Sequence, residues 1–142
     1  MIKVERKTIM KPRVPAGPLQ VVVGFPRGKA SNFVISKAIW NEFGTRRIPE
    51  RPFFRNAMRK NRKKYVSLMA ARAKQIVEQK ETVSRAINQL GVMAVGDVQY
   101  EIVALRHPPN APSTIKAKGS SNPLIDTGEM RQSVTYQVRG SL

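Results

Sequence analysis

The run LIDTG, from Leu124 to Gly128, is the part of this sequence whose residue types could most readily do chemistry. An apolar pair followed by Asp-Thr-Gly is the pattern of the catalytic loop in aspartic proteases, where two carboxylates share one proton. A small protease must dimerise around this loop and needs substantial chain after it to complete the flap and the sheet. Only 14 of the 142 residues follow Gly128, which is too few. We therefore interpret Asp126 and Thr127 as candidate caps of a short helix over residues 128–132.

The other groups that could act as catalysts or ligands have no partners nearby in the sequence. His107 is the only histidine, and it lies beside Pro108 without an adjacent cysteine, serine or carboxylate. One histidine, no cysteine and scattered carboxylates give no metal-ligand spacing. Gly24 and Gly28 lack the Lys-Ser/Thr pair of a phosphate-binding loop. The sequence therefore predicts no catalytic residue, no metal, no cofactor and no small-molecule substrate.

Positive charge is the most unusual feature of the composition. Lys and Arg total 26 against 9 acidic residues, a net charge of +17, and residues 46–74 contain Glu50 as their only acidic residue. Such a field attracts polyanions or acidic protein surfaces, although a run of charge on a helix is also typical of a solvated face. No base-reading motif accompanies the charge, so binding to nucleic acid would be weakly selective. The candidate contacts to DNA or to an acidic partner are Arg55, Arg59, Arg62, Lys63 and Lys64.

The composition also indicates the compartment in which the protein is made. The chain has no cysteine and no apolar run of the ~18–20 residues that a membrane-spanning helix needs. Its first residues lack the apolar stretch of a secretory signal. We expect a single domain that is made in a reducing cytoplasm and makes no membrane contact.

The elements that must position these residues predict an α+β fold. We expect a small antiparallel sheet packed against two main helices, with a long proline-rich arm before the C-terminal strand. Apolar residues at three- and four-residue steps indicate the helices, and short β-branched or alternating runs indicate the strands. The predicted strands cover residues 19–25, 33–43 and 133–138, and the predicted helices cover residues 51–79 and 81–105, with a break near Gly91. In the first helix, the stripe expected to face the core runs from Phe54 through Ala73 to Val77.

The single domain is expected to have four segments. They are an N-terminal strand or arm with a loop over residues 1–18, the sheet and helices over 19–107, an extended arm over 108–123, and a short helix with the C-terminal strand over 124–142. The arm contains four prolines and exceeds the usual length of a loop. A proline-stiffened segment loses little conformational entropy when it docks, so we expect it to wrap an adjacent subunit.

Two separated motifs are rich in residues that fix backbone geometry. The first combines EFGT at residues 42–45 with IPERPFFR at residues 48–55, and the second runs from PPNAPSTI at residues 108–115 to PLIDTGEM at residues 123–130. We interpret both as shaping a subunit for its neighbours, although core packing explains Phe53 and Phe54 equally well. The candidate subunit-interface residues are Arg51, Pro52, Phe53, Phe54, Pro109, Asn110, Pro112, Thr114 and Ile115.

In their order and spacing, these motifs resemble those of the head-tail joining and tail-completion (neck) proteins of long-tailed bacteriophages. In that family a Glu-Phe-Gly-Thr element leads into an Arg-Pro-Phe helix start. An Asn-x-Pro-Ser/Thr-Thr-Ile segment, a Lys-Gly and a Pro-Leu-Ile-Asp-Thr-Gly element then precede the terminal strand. The resemblance covers the chain from about Ile39 to Val138, and the N-terminal segment and the high positive charge depart from it.

The resemblance implies a structural virion protein and no catalysis. Its subunits are expected to form a homo-oligomeric ring, a hexamer, that caps the tail tube and lets DNA pass through its channel. The expected partners are the tail-tube or tail-terminator protein and the head connector proteins. The protein would reside in the neck or tail of the virion, and in the host cytoplasm during assembly. The alternatives are a tail terminator or another minor tail or baseplate protein, and a non-specific nucleic-acid-binding protein.

Overall fold

The structure of this protein is a computed structural model, and it describes residues 19–140. Two strands and five helices follow one another in the described chain. They are β1 (Gln20–Gly24), α1 (Asn32–Phe43), α2 (Phe53–Val77), α3 (Val83–Ala104), α4 (Pro112–Lys118), α5 (Glu129–Gln132) and β2 (Thr135–Arg139). The strand or arm predicted over residues 1–18 lies outside the described residues.

The two strands form one antiparallel sheet, with Val22 opposite Gln137. Both strands pack on α3, and α2 packs along α3 as the other arm of a helical hairpin. This arrangement confirms the predicted α+β fold, with a small antiparallel sheet against helices. The strands predicted over residues 19–25 and 133–138 and the helix predicted over 51–79 are all present, with ends shifted by a few residues.

The helix α3 runs without interruption from Val83 to Ala104, so the break predicted near Gly91 is wrong. Gly91 is buried against the ring of Tyr136 in β2, and a Cβ atom at this position would lie 2.2 Å from the Cδ2 atom of that ring. The Tyr136 hydroxyl donates a hydrogen bond to Oδ1 of Asn88 in α3 at 2.9 Å. The glycine therefore brings the sheet close to the helix and does not interrupt it.

The helix α1 occupies residues where the sequence predicted a second strand, and that prediction is wrong. Val34, Ala38 and Glu42 are buried at a spacing of four residues, which is the repeat of one helix face. The Oγ atom of Ser31 caps the helix by accepting a hydrogen bond from the backbone N–H of Val34 at 3.3 Å. The helix ends before Gly44, whose φ of 74° suits a residue without a side chain.

The proline-rich segment after α3 is less extended than predicted. Residues 112–118 form α4, with Pro112 in its first turn, where a missing N–H is tolerated. Gly119 ends the helix in the left-handed conformation and donates its backbone N–H to the Ile115 carbonyl at 2.9 Å. The prediction of an extended arm over residues 108–123 is therefore wrong for its central part.

The core lies where α1, α2 and α3 meet the end of β1. Phe53 is fully buried there, and its ring meets that of Phe25 edge to face, with centroids 6.4 Å apart. Phe54 packs against the same core, as its place on the predicted stripe of α2 implies. Ala73 and Val77 are exposed, because their positions rotate away from the side of α2 that α3 covers. The predicted stripe is therefore wrong at Ala73 and Val77, although Ile76 beside them is half-buried.

Candidate functional site

Arg51 links the two sequence motifs at the centre of one hydrogen-bond cluster. The residue is buried, with 3% of its surface exposed. Its Nε–H donates to the Pro108 carbonyl at 2.7 Å, and Nη2 donates to the Pro109 carbonyl at 3.0 Å. Nη2 also donates to Oδ1 of Asn110 at 3.0 Å, and Nη1 donates to Oδ1 of Asn41 at 3.1 Å. One guanidinium thus holds the second motif against α1 and the start of α2.

In this cluster the buried positive charge of Arg51 is stabilised by the dipoles of neutral carbonyl and amide groups. No carboxylate of residues 19–140 is hydrogen-bonded to Arg51, whose acceptors are carbonyl and amide oxygens. Burial lowers the pKa of the Arg51 guanidinium below its usual value. A planar guanidinium can serve several acceptors in fixed directions, so it fixes the relative placement of the groups around it. The backbone N–H of Arg51 adds a further bond to the Asn41 carbonyl at 2.6 Å.

Glu42 fixes the corner between α1 and α2. Its buried carboxylate accepts hydrogen bonds from the backbone N–H groups of Phe54 at 2.8 Å and of Arg55 at 3.1 Å, and from Arg55 Nε at 2.9 Å. These bonds satisfy free N–H groups at the positive end of the α2 dipole. Hydrogen bonds to Glu42 and then to Glu50 raise the pKa of Arg55. Gly44 permits the corner, because a Cβ atom there would lie 3.0 Å from the backbone nitrogen of Glu50.

The predicted subunit-interface residues divide into two groups. Arg51 and Phe53 are buried inside the chain, which leaves them almost no surface for a contact with a neighbouring subunit. They act within the fold, where Arg51 holds the second motif and Phe53 fills the core. The exposed or half-buried members, which remain available for contact, are Pro52, Phe54, Pro109, Asn110, Pro112, Thr114 and Ile115.

An open cleft of about 680 Å³ lies between α1 and the second motif. Phe33, Lys37 and Trp40 line it from α1, and Lys118 lines it from α4. Burial lowers the pKa of Lys118, while the nearby charge of Asp126 opposes this shift. The cleft therefore combines aromatic surface with cationic side chains.

The helix α1 presents a second apolar face to solvent. Phe33, Ile39, Trp40 and Phe43 are between 42% and 64% exposed, and their spacing places them together on the side opposite the buried face. We call these four residues the α1 apolar face. Exposed clusters of large apolar side chains are typical of protein contact sites. The strand prediction missed this face, although the helical spacing of Phe33 with Trp40 and of Ile39 with Phe43 was a signal for it.

The predicted helix caps lie in the loop before α5. The helix begins after Gly128, which is its N-cap residue and supplies no side-chain hydrogen bond. Thr127 Oγ1 accepts from the backbone N–H of Glu129 at 3.4 Å, a long contact. Asp126 makes no capping bond, so its prediction as a cap is wrong; it lines the cleft instead.

The predicted basic contacts also divide into two groups. Arg55 and Lys64 form salt bridges with carboxylates of this chain. Arg59, Arg62 and Lys63 are exposed, and none of them forms a salt bridge with another described residue. The unpaired charge of the predicted group is therefore concentrated in these three side chains.

The described residues show no sign of a metal site or a membrane span. Residues 19–140 contain no cluster of three or more His, Cys, Asp or Glu side chains that could hold a metal ion. None of the helices in this range is long and apolar enough to cross a membrane. Comparison of the chain with protein families, with curated proteins and with solved structures finds no match.

Proposed function

We propose that this protein is a structural virion protein of a long-tailed bacteriophage, a neck or tail-completion subunit. Its ring caps the tail tube and joins the tail to the head while letting DNA pass. The observation that carries the proposal is the Arg51 cluster. Its hydrogen bonds join residues that are 57 or more positions apart in the chain, and these residues belong to the two motifs that carry the resemblance to this family.

The cluster supports a role in assembly because it fixes a surface. Glu42 sets the direction of α1 relative to α2, and Arg51 fixes the second motif beside them. The α1 apolar face and the adjoining cleft are thereby held as one prearranged surface. A surface that is already ordered loses less conformational entropy when a partner binds.

A ring of identical subunits needs a head-to-tail contact between two different patches of each copy. We assign the α1 apolar face and the cleft beside it to one side of this contact. Tryptophan is among the residues that contribute most to the energy of protein interfaces, and Trp40 lies where the face meets the cleft. The exposed residue Thr114 of the second motif also lines this cleft.

Electron microscopy and sedimentation of the purified full chain test this proposal. We expect rings with a central channel, and we expect Trp40→Ser combined with Phe43→Ser to abolish them. Tyr100→Ser is the matched control, because Tyr100 is also an exposed aromatic residue but lies on α3. A natural chain that stays monomeric and does not bind phage tails contradicts the proposal. A double variant that still forms rings contradicts only the assigned surface.

A tail terminator or another minor tail or baseplate protein is the second candidate, because the same kind of ring contact would serve it at a different position. Antibody labelling of whole particles separates the two assignments. Label at the junction of head and tail supports the neck assignment. Label elsewhere along the tail, or at its far end, supports the second candidate.

A further inference from the structure

The outward side of α2 carries two different kinds of exposed side chain in one line. Its N-terminal half is cationic, and its C-terminal half is small and apolar except for the exposed Lys74. Steps of one, three and four residues place these side chains on one side of the helix. We call the following exposed residues the α2 outer face: Arg59, Arg62, Lys63, Val66, Ala70, Ala73 and Val77.

The cations of this face differ from those on the side of α2 that faces α3. Lys60 forms a salt bridge with Glu101 of α3 at 2.7 Å, and Arg72 forms one with Glu81 at 3.4 Å. Lys64 is also paired with a carboxylate of α3. Within the described residues the outer face has no such partners. Its three cations therefore present an uncompensated positive field to the surroundings.

The apolar half of the face favours a protein partner over a polyanion. Val66 is 62% exposed and Val77 is 70% exposed, and Ala70 and Ala73 complete a strip about 16 Å long between them, at 1.5 Å per residue. A phosphate backbone would use the cations and leave this strip in water. The face also has no aromatic side chain on which a base could stack.

A second copy of this chain is a poor source of the complementary acids. Among the described residues, the carboxylates outside salt bridges belong to Asp126 and Glu129, and Asp126 already interacts with Lys118. The one other acidic residue, Glu5, lies outside the described residues. The chemistry of this face therefore requires a different protein.

We propose that the α2 outer face docks a different protein whose surface presents carboxylates beside an apolar strip, as an acidic amphipathic helix does. The charges steer the encounter over a distance that depends on salt. The valine and alanine side chains give the bound state its contact area and its direction along α2. This inference goes beyond the proposed ring and does not depend on it.

Binding of two probes to the full chain tests the proposal. The first probe is a synthetic amphipathic helical peptide with glutamates along one half of its face and leucines along the other, and the second is a short random-sequence DNA duplex. The charge variant combines Arg59→Glu, Arg62→Glu and Lys63→Glu, and the apolar variant combines Val66→Ser and Val77→Ser. The control variant has the same change in net charge at three exposed cations outside α2. It combines Arg27→Glu, Lys116→Glu and Arg131→Glu.

We expect the charge variant to weaken peptide binding by about tenfold or more, and the apolar variant to weaken it by about fivefold. The control should change it by about twofold at most, because only long-range attraction is lost. The proposal is overturned if the natural chain does not bind the peptide, or if the charge variant behaves as the control does. It is also overturned if the apolar variant binds the peptide normally while DNA binding depends on the three cations, because the face then serves a polyanion.

Circular dichroism shows whether each variant is folded, so that a loss of binding is not mistaken for a loss of structure. If the charge variant is unfolded, the milder combination Arg59→Gln, Arg62→Gln and Lys63→Gln replaces it and is judged by the same criteria. A monomeric chain that binds the peptide as expected would contradict the proposed ring and leave this inference standing. A chain that forms rings but does not bind the peptide would support the proposed ring and contradict this inference.

Discussion

Arg51 shows at the scale of one residue how a charged side chain can organise a surface. A lysine at this position keeps the charge but loses the planar fork that reaches the Pro108 and Pro109 carbonyls and the two asparagine side chains. We expect Arg51→Lys to lower the free energy of unfolding by about 2–4 kcal/mol, because buried acceptors lose their donors. Urea denaturation measures this change. Arg47→Lys, an exposed change in the same segment, should stay within about 0.5 kcal/mol of the natural chain, and equal values for the two variants contradict the role of Arg51.

Gly91 and Gly96 allow a test of the contact between β2 and α3, because both lie inside α3 but in different surroundings. Replacing an exposed helical glycine by alanine usually stabilises a protein, and no atom lies within 4 Å of a Cβ at Gly96. Gly96→Ala should therefore raise the free energy of unfolding by about 0.5–1 kcal/mol. Gly91→Ala should lower it by about 1–3 kcal/mol, because the new methyl group meets the Tyr136 ring. Thermal unfolding that shows both variants stabilised would mean that β2 does not pack on α3 at this point.

At the scale of elements, a tyrosine contact joins the two long helices. The Tyr65 hydroxyl of α2 donates to Oδ2 of Asp97 in α3 at 2.8 Å. Burial, and then this hydrogen bond, raise the pKa of Tyr65 above its usual value of 10. The unfolded chain releases the proton near that usual value while the folded chain keeps it. The contribution of Tyr65 to stability is therefore fully present below about pH 10 and is lost as the pH rises above it toward the folded pKa.

The variant Tyr65→Phe tests this dependence of stability on pH. Urea unfolding between about pH 8 and about pH 11 should show a shallower fall in the free energy of unfolding for the variant than for the natural chain. Other groups titrate in this range in both proteins, so the difference between the two slopes reports Tyr65. Tyr100→Phe, at an exposed position on α3, should keep the natural slope. Equal slopes for Tyr65→Phe and the natural chain would rule out the contact.

The elements that the sequence predicts correctly are those with a single apolar pattern. The short runs of β1 and β2 and the first turns of α2 are of this kind. The helix α1 has apolar residues on two faces, with Val34 inside and Phe33 and Trp40 outside, and this arrangement hides the helical repeat. The helix α4 was hidden by its first residue, since Pro112 suits an extended chain and the first turn of a helix equally well.

The candidate site was predictable in its parts and not in its arrangement. The motifs around Arg51 and Asn110 stand out in the sequence because they fix backbone geometry. Their contact is tertiary, since the two residues are 59 positions apart and meet only when α1 and α3 have placed both segments. The sequence could not show which basic residues form salt bridges, because those contacts are also tertiary. Whether Lys64 or Arg62 has a carboxylate partner depends on which side of α2 faces Asp97.

At the scale of the whole molecule, the two proposed contact surfaces differ in their charge. Most of the acidic side chains of the described residues are held in salt bridges, so the surface keeps much of the net charge of +17. Copies of this chain repel one another until that charge is screened or bound by a partner. The α1 apolar face contains no charged residue, whereas the α2 outer face contains three cations. The two proposed contacts should therefore respond to salt in opposite directions.

Raising the salt concentration from about 0.1 M to about 1 M shortens the screening length from ~10 Å to ~3 Å. Self-association through the α1 apolar face should strengthen, because repulsion between subunits falls while burial of Trp40 and Phe43 is retained. Binding of the acidic peptide to the α2 outer face should weaken over the same range, because its steering charges are screened. Sedimentation velocity and fluorescence anisotropy in identical buffers measure the two responses. The combination Trp40→Ser with Phe43→Ser should remove the first response and leave the second. If both contacts strengthen or both weaken with salt, at least one of the two surfaces is wrongly assigned, and the variant identifies which one.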